Sequence, residues 1–121
     1  ADNALGELKF LFPNSHDIYM HDTPNRELFE RDARAFSHGC VRVQNPRDFA
    51  AVVLGWTPEE VAAHVESGDS QTVKLKAKLP VHIAYFTAWP DAKGHMRFFK
   101  DIYGRDEAMQ KARSAVLLAQ R

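Results

Sequence analysis

The sequence predicts an α+β fold of mixed character, with an antiparallel-rich β-sheet and flanking helices. Three patterns predict it. Two short runs in which apolar and polar residues alternate, 7–12 and 17–21, are separated by the turn-forming Pro13-Asn14-Ser15-His16, as in a hairpin. Two helix-start signals, Asn45-Pro46 and Thr57-Pro58-Glu59-Glu60, follow one another in mid-chain with Gly55 between them. A strongly β-prone run over 81–89 and a second over 95–99 flank Asp91-Ala92-Lys93-Gly94, which predicts a second hairpin.

Taken in order, Asn3 and Gly6 introduce a first strand whose Leu8, Phe10 and Phe12 share one face. His16 sits on the following turn and reads as a solvated loop residue. The next strand runs to His21, opposite in phase to Ile18 and Met20, and ends at Asp22-Thr23-Pro24. Residues 25–35 are charged and helix-compatible, anchored only by Leu28, Phe29 and Phe36, and form either a solvated connector or a cover over substrate. Val41 and Val43 around Arg42 predict a short strand. Asn45 as cap and Pro46 in the first turn open a helix over 47–54 that stops at Gly55. Thr57 caps a second helix to about Ser67, with Val61, His64 and Val65 on one face.

Beyond the loop Gly68-Asp69-Ser70, Val73, Leu75, Ala77 and Leu79 alternate with Lys74, Lys76 and Lys78, predicting a strand with one lysine face. Pro80 ends it. His82 and His95 are placed in the strands of the second hairpin as structural residues. A terminal helix over 105–120 carries the stripe Ala108, Met109, Ala112, Ala115, Val116 and Ala119.

With 121 residues, 45% of them hydrophobic, the chain has the size and composition of one globular domain, assigned to 1–121. Sixteen basic residues balance sixteen acidic ones, so composition provides no general attraction to nucleic acid or to an anionic membrane surface. No apolar run approaches the roughly 18 residues of a membrane span.

The single cysteine stands in Ser37-His38-Gly39-Cys40-Val41-Arg42. A thiol acts as a nucleophile when a base or positive potential activates it, and Gly39 lets a substrate carbonyl approach the backbone. A strand-end His21 separated from this motif by one long loop can serve as that base. The same thiol could also be an inert buried cysteine.

His21, fifteen intervening residues, and Ser37-His38-Gly39-Cys40-Val41-Arg42 together resemble the signature of the L,D-transpeptidase catalytic domain of the YkuD type. Phe12-Pro13-Asn14, His21-Asp22-Thr23-Pro24 and Asp101-Ile102-Tyr103-Gly104-Arg105-Asp106 resemble its larger, multi-domain bacterial branch. The resemblance implies that Cys40 attacks a peptidoglycan tetrapeptide stem after its third residue, that His21 is the base, and that a second stem's amine resolves the thioester into a cross-link. Water as acceptor would give a carboxypeptidase. It further implies that a backbone carbonyl of Asp22 orients His21, with any part for the Asp22 side chain open. His38, Gly39 and Ser37 would support the oxyanion pocket, where the Gly39 and Cys40 amides are the natural donors. Arg42 would bind a substrate carboxylate or else brace the loop, and Tyr19 is assigned to substrate binding.

No cofactor or metal is expected, and the implied partners are peptidoglycan stem peptides and carbapenem-type inhibitors. The implied location is periplasmic, on the cell-wall side of the bacterial inner membrane. The family domain begins with further strands before the segment that matches Gly6, so the chain is expected to be the C-terminal portion of the domain in a longer protein. The competing readings are a zinc site on His21, His38 and Cys40, with His16 as a possible fourth ligand, and an inactive wall-binding module.

Overall fold

The computed structural model describes residues 3–119, which fall into two compact units, Ala1–Val81 and His82–Arg121. In the first, strands β1 (Lys9–Phe10), β2 (Met20–His21) and β3 (Val41–Arg42) form a sheet in the order β1-β2-β3. β1 and β2 are antiparallel, with Lys9 opposite His21 and Phe10 opposite Met20. β2 and β3 are parallel, with Met20 opposite Val41 and His21 opposite Arg42. A parallel pair needs a long crossover, which residues 22–40 supply.

The first two strands are shorter than the alternation predicts, because a side chain takes over from the ladder. Asn14 Nδ2 donates to the carbonyls of Phe12 and Ile18 at 3.0 and 2.7 Å, while its Oδ1 accepts from the amides of His16 and Ile18 at 2.9 and 3.1 Å. Those backbone groups are satisfied locally and leave the sheet. The crossover forms only a 3-10 helix, Arg26–Glu30, since between residues 24 and 39 only Leu28 and Phe29 are half-buried and they give no apolar stripe.

Helices α1 (Pro46–Leu54) and α2 (Pro58–Glu66) follow the sequence signals closely. Gly55 ends α1 in the left-handed conformation at φ 66°, which suits a residue without Cβ. The expected Asn45 side-chain cap is not made, whereas Thr57 and Glu60 form a complete capping box. Ala50, Ala51 and Val61 form a buried apolar cluster, with Leu8, Phe10, Leu54, Trp56 and Val65 packed on it. Phe10 meets Phe49 edge to face at 4.9 Å. One face of β1 therefore lies on α1, and the face bearing Lys9 turns the other way.

The strand predicted over 73–79 is not formed, and Val73, Leu75 and Leu79 are exposed. No backbone ladder reaches this segment among the described residues, and an extended run without a neighbour has nothing to pair its amides.

The second unit contains β4 (Ala88–Pro90), β5 (Met96–Phe98) and α3 (Arg105–Ala119). β4 and β5 form the predicted hairpin, with the Asp91 carboxylate accepting from the amides of Lys93 and His95 at 2.9 Å each. The hairpin starts at Ala88 rather than residue 81, so His82 lies in irregular chain and His95 in the loop, both exposed and neither in a strand. Asp101 holds the start of α3: its carboxylate accepts from the amides of Arg105, Asp106 and Glu107 at 3.0, 3.0 and 3.2 Å and from the Tyr85 hydroxyl at 2.7 Å. The Thr87 hydroxyl donates to Asp106. The stripe on α3 is exposed, as Met109 and Val116 show, and the predicted last residue, 120, lies outside the described residues.

Candidate active site

Register decides which side chains meet. Directly opposed residues of neighbouring strands point to one face, so Lys9, His21 and Arg42 form a row across all three strands. Tyr19, two residues before His21, shares that face, and the Val41 amide bonds the Tyr19 carbonyl at 3.1 Å, bringing Cys40 level with Tyr19. Cys40 is thus a diagonal neighbour of His21 on that face, at a spacing of roughly 7–8 Å between α-carbons.

His21 is 5% exposed, and its Nδ1 donates to the backbone carbonyl of Asp22. A carbonyl only accepts, so Nδ1 carries the proton and Nε2 keeps a free lone pair. Tyr19 stands beside it, with ring centroids 5.8 Å apart. Lys9 Nζ lies 3.8 Å from the centroid of the Tyr19 ring. Partial burial first, then the charge and hydrogen bond of Cys40, push the Tyr19 hydroxyl above the ordinary phenol range, so at neutral pH it remains a donor.

The Asp22 side chain faces away from this chemistry. Its carboxylate, almost fully buried, accepts from the Glu7 amide at 3.0 Å and from Arg26 Nη2 at 3.1 Å. Arg26 Nη1 also donates to the Gln44 carbonyl at 2.7 Å, which ties the end of β3 to the crossover. Gly6, at φ 62°, presses on the Asp22 carboxyl, where a Cβ would overlap it. Buried Thr23 accepts from the Asn25 amide and completes the turn.

Around Cys40 the backbone is tightly folded. Ser37 Oγ donates to the Cys40 carbonyl at 2.6 Å and accepts from the Gly39 amide at 3.3 Å. Gly39 is at φ 145°, a conformation that a side chain disfavours. Of the two amides assigned to an oxyanion pocket, that of Gly39 is directed at Ser37. The hydrogen bonds of the described residues leave the Cys40 amide free.

Cys40, His21, Tyr19 and Arg42 are therefore brought to one face, with Ser37 and Gly39 shaping the turn beneath the thiol. His38 and His16 are exposed on turns, and no group of three or more His, Cys, Asp or Glu residues is arranged to hold a metal among the described residues. Two contributors were missed from the sequence. Lys9 carries a register signal, opposite in phase to Leu8 and Phe10, that could have placed it beside His21; Arg26, inside a charged run, carries none.

Comparison with known proteins follows the same residues. Residues 2–83 match the YkuD family, described as the L,D-transpeptidase catalytic domain. A Haemophilus influenzae protein that bears the provisional name L,D-transpeptidase is 40% identical over 115 residues, 93% of this chain. The chain spans 23% of the length of that relative.

Proposed function

Because this chain belongs to the YkuD family of L,D-transpeptidase catalytic domains, we propose that it performs cysteine acyl transfer on peptidoglycan stem peptides, with Cys40 as nucleophile and His21 as base. The observation that carries the reading is the Asp22 carbonyl on His21 Nδ1, which leaves Nε2 as the acceptor on the face that Cys40 shares. Nε2 takes the thiol proton as sulfur attacks the carbonyl carbon after the third stem residue, and the oxygen becomes an anion. The free Cys40 amide is a donor for that oxyanion. When the C–N bond breaks, the proton passes from Nε2 to the leaving amine, and the acyl group stays on sulfur as a thioester. An amine of a second stem then attacks, loses its proton to His21 and releases the thiolate, which makes a cross-link between third residues; water would give the shortened stem instead.

Tyr19, level with Cys40 on that face and kept protonated, steadies the thiolate before attack, and Arg42, half-buried and without an ion pair among the described residues, holds a substrate carboxylate. The work would be done on the cell-wall side of the bacterial inner membrane. We assign the whole of 1–121 to the C-terminal portion of one catalytic domain in a longer protein.

Intact-mass measurement after exposure to a tetrapeptide donor or a carbapenem, whose strained amide resembles the scissile bond, tests the reading in the full-length protein. Wild type should gain one acyl group, Cys40→Ser none, and His21→Ala should acylate at least a hundredfold more slowly. An adduct that survives Cys40→Ser, or equal rates in His21→Ala, would remove those residues from these roles. A zinc-loaded protein inert to both reagents would favour the metal site, and a metal-free inert one the wall-binding module.

A further inference from the structure

We propose that Lys9 binds the terminal carboxylate of the residue that leaves, and so restricts the donor to a stem that ends one residue beyond the scissile bond. The inference rests on the acyl-transfer reading and names a specificity residue for it.

The order of groups across the sheet carries the argument. Cys40 and Arg42 are on the third strand, His21 on the middle one and Lys9 on the first, all on one face. The scissile carbonyl carbon must meet the Cys40 sulfur, while the leaving nitrogen must meet His21 Nε2 to collect its proton. The bond being cut therefore runs from the third strand toward the second, and the leaving residue continues toward the first. In a residue with a free C-terminus the carboxylate is separated from its nitrogen by a single carbon, so it arrives beyond His21, where Lys9 stands. Strand spacing of about 4.8 Å separates the Lys9 backbone from that of His21, and the Lys9 ammonium leans over the Tyr19 ring, the neighbour of the His21 ring on that face.

Lys9 is suited to the task by what surrounds it. Its ammonium is held 3.8 Å from the centre of the Tyr19 ring, which fixes the flexible stem without consuming its hydrogen-bond donors. It makes no ion pair among the described residues, whereas Arg47 and Arg26 in the same unit are committed to Glu7 and Asp22. Arg42, on the strand of Cys40, lies on the acyl side of the bond. A stem extended by another residue would offer Lys9 a neutral amide in place of a carboxylate, and specificity for the chain end would follow from that one charge.

The test uses the full-length protein and three donors: the tetrapeptide acid, its C-terminal amide, and the pentapeptide acid, with thioester formation on Cys40 followed by intact mass. Wild type should favour the tetrapeptide acid. Lys9→Gln should lower kcat/KM for that donor by about tenfold, the weight of one charge-assisted contact at a half-open site, mainly through KM, and should nearly erase the preference over the amide. Lys9→Arg should restore much of the preference, which a role limited to supporting Tyr19 would not produce for the acid alone. Equal loss on acid and amide in Lys9→Gln, or an undiminished preference, would overturn the proposal while leaving the acyl-transfer reading intact. A wild type that no donor or carbapenem acylates would overturn both.

Discussion

The two units of the chain are held by different means. In Ala1–Val81 the buried groups include His21, Asp22 and Thr23 as well as Ala50, Ala51 and Val61, so polar ties and a small apolar core are both shielded from water. In His82–Arg121 no side chain of the described residues is buried; a hairpin and a helix are shaped by hydrogen bonds converging on Asp91 and Asp101, while Trp89, Phe98 and Leu118 face outward. Local hydrogen bonding suffices to give a segment its shape, but positioning a base to within a bond length requires neighbours that exclude water. The candidate chemistry lies where those neighbours are.

Asp22 offers the strongest way to break this contrast. Asp22→Ala leaves the Glu7 amide without its acceptor and frees Arg26, in a place that is 3% exposed, and should cost about 3 kcal/mol in urea unfolding. Because the carbonyl that orients His21 belongs to the backbone, any activity lost should follow the fraction unfolded. Unchanged stability would mean that the buried polar ties do not hold the first unit. Gly6→Ala attacks the same contact from the other side. A left-handed residue acquires a side chain that overlaps the Asp22 carboxyl, for an expected loss of about 2 kcal/mol by the same measurement.

Those sites also show what was legible. Helices α1 and α2 could be read to within a residue or two because Pro46, Gly55 and the Thr57/Glu60 box act locally, as does the turn at Gly94. The Cys40 and His21 motif stood out by residue type. The parallel pairing of β2 with β3 did not, since nothing local states which strands become neighbours, and without that pairing Lys9 and Arg42 could not be set on opposite sides of His21. The lysine-faced alternation over 73–79 misled for a related reason: period-two patterning describes a strand that has a partner, and none of the described residues supplies one. Arg26 was hidden because its two acceptors, Asp22 and the Gln44 carbonyl, are joined only by the fold.

The pH dependence of the two units should differ as well. Four donors on Asp101, led by the Tyr85 hydroxyl, hold its carboxyl below the ordinary aspartate range despite partial desolvation. A group whose folded value is depressed stabilises the fold above its unfolded value of 3.8 and ceases to do so as pH falls through the lower, folded value. Helicity reported from α3 should therefore decline only below about pH 4, and Asp101→Asn should remove that acid step while weakening the helix start at neutral pH. An acid transition of α3 that is unchanged in Asp101→Asn would assign it to other carboxylates.

The smallest expected effect is at Phe98, and it sharpens the contrast most directly against Val61. Val61 is 2% exposed and Phe98 is 80% exposed. Val61→Ala removes apolar atoms already withdrawn from water and leaves a void among Ala50, Ala51 and their neighbours, for about 2 kcal/mol. Phe98→Ser removes a ring that stays in water on folding, so the transfer contribution nearly vanishes and only the weaker strand preference of serine remains, within about 0.5 kcal/mol. Urea unfolding of both variants gives the comparison. A loss at Phe98 as large as that at Val61 would mean that another surface covers β5 in solution, and a midpoint that shifts with protein concentration would identify that surface as a second copy of the chain.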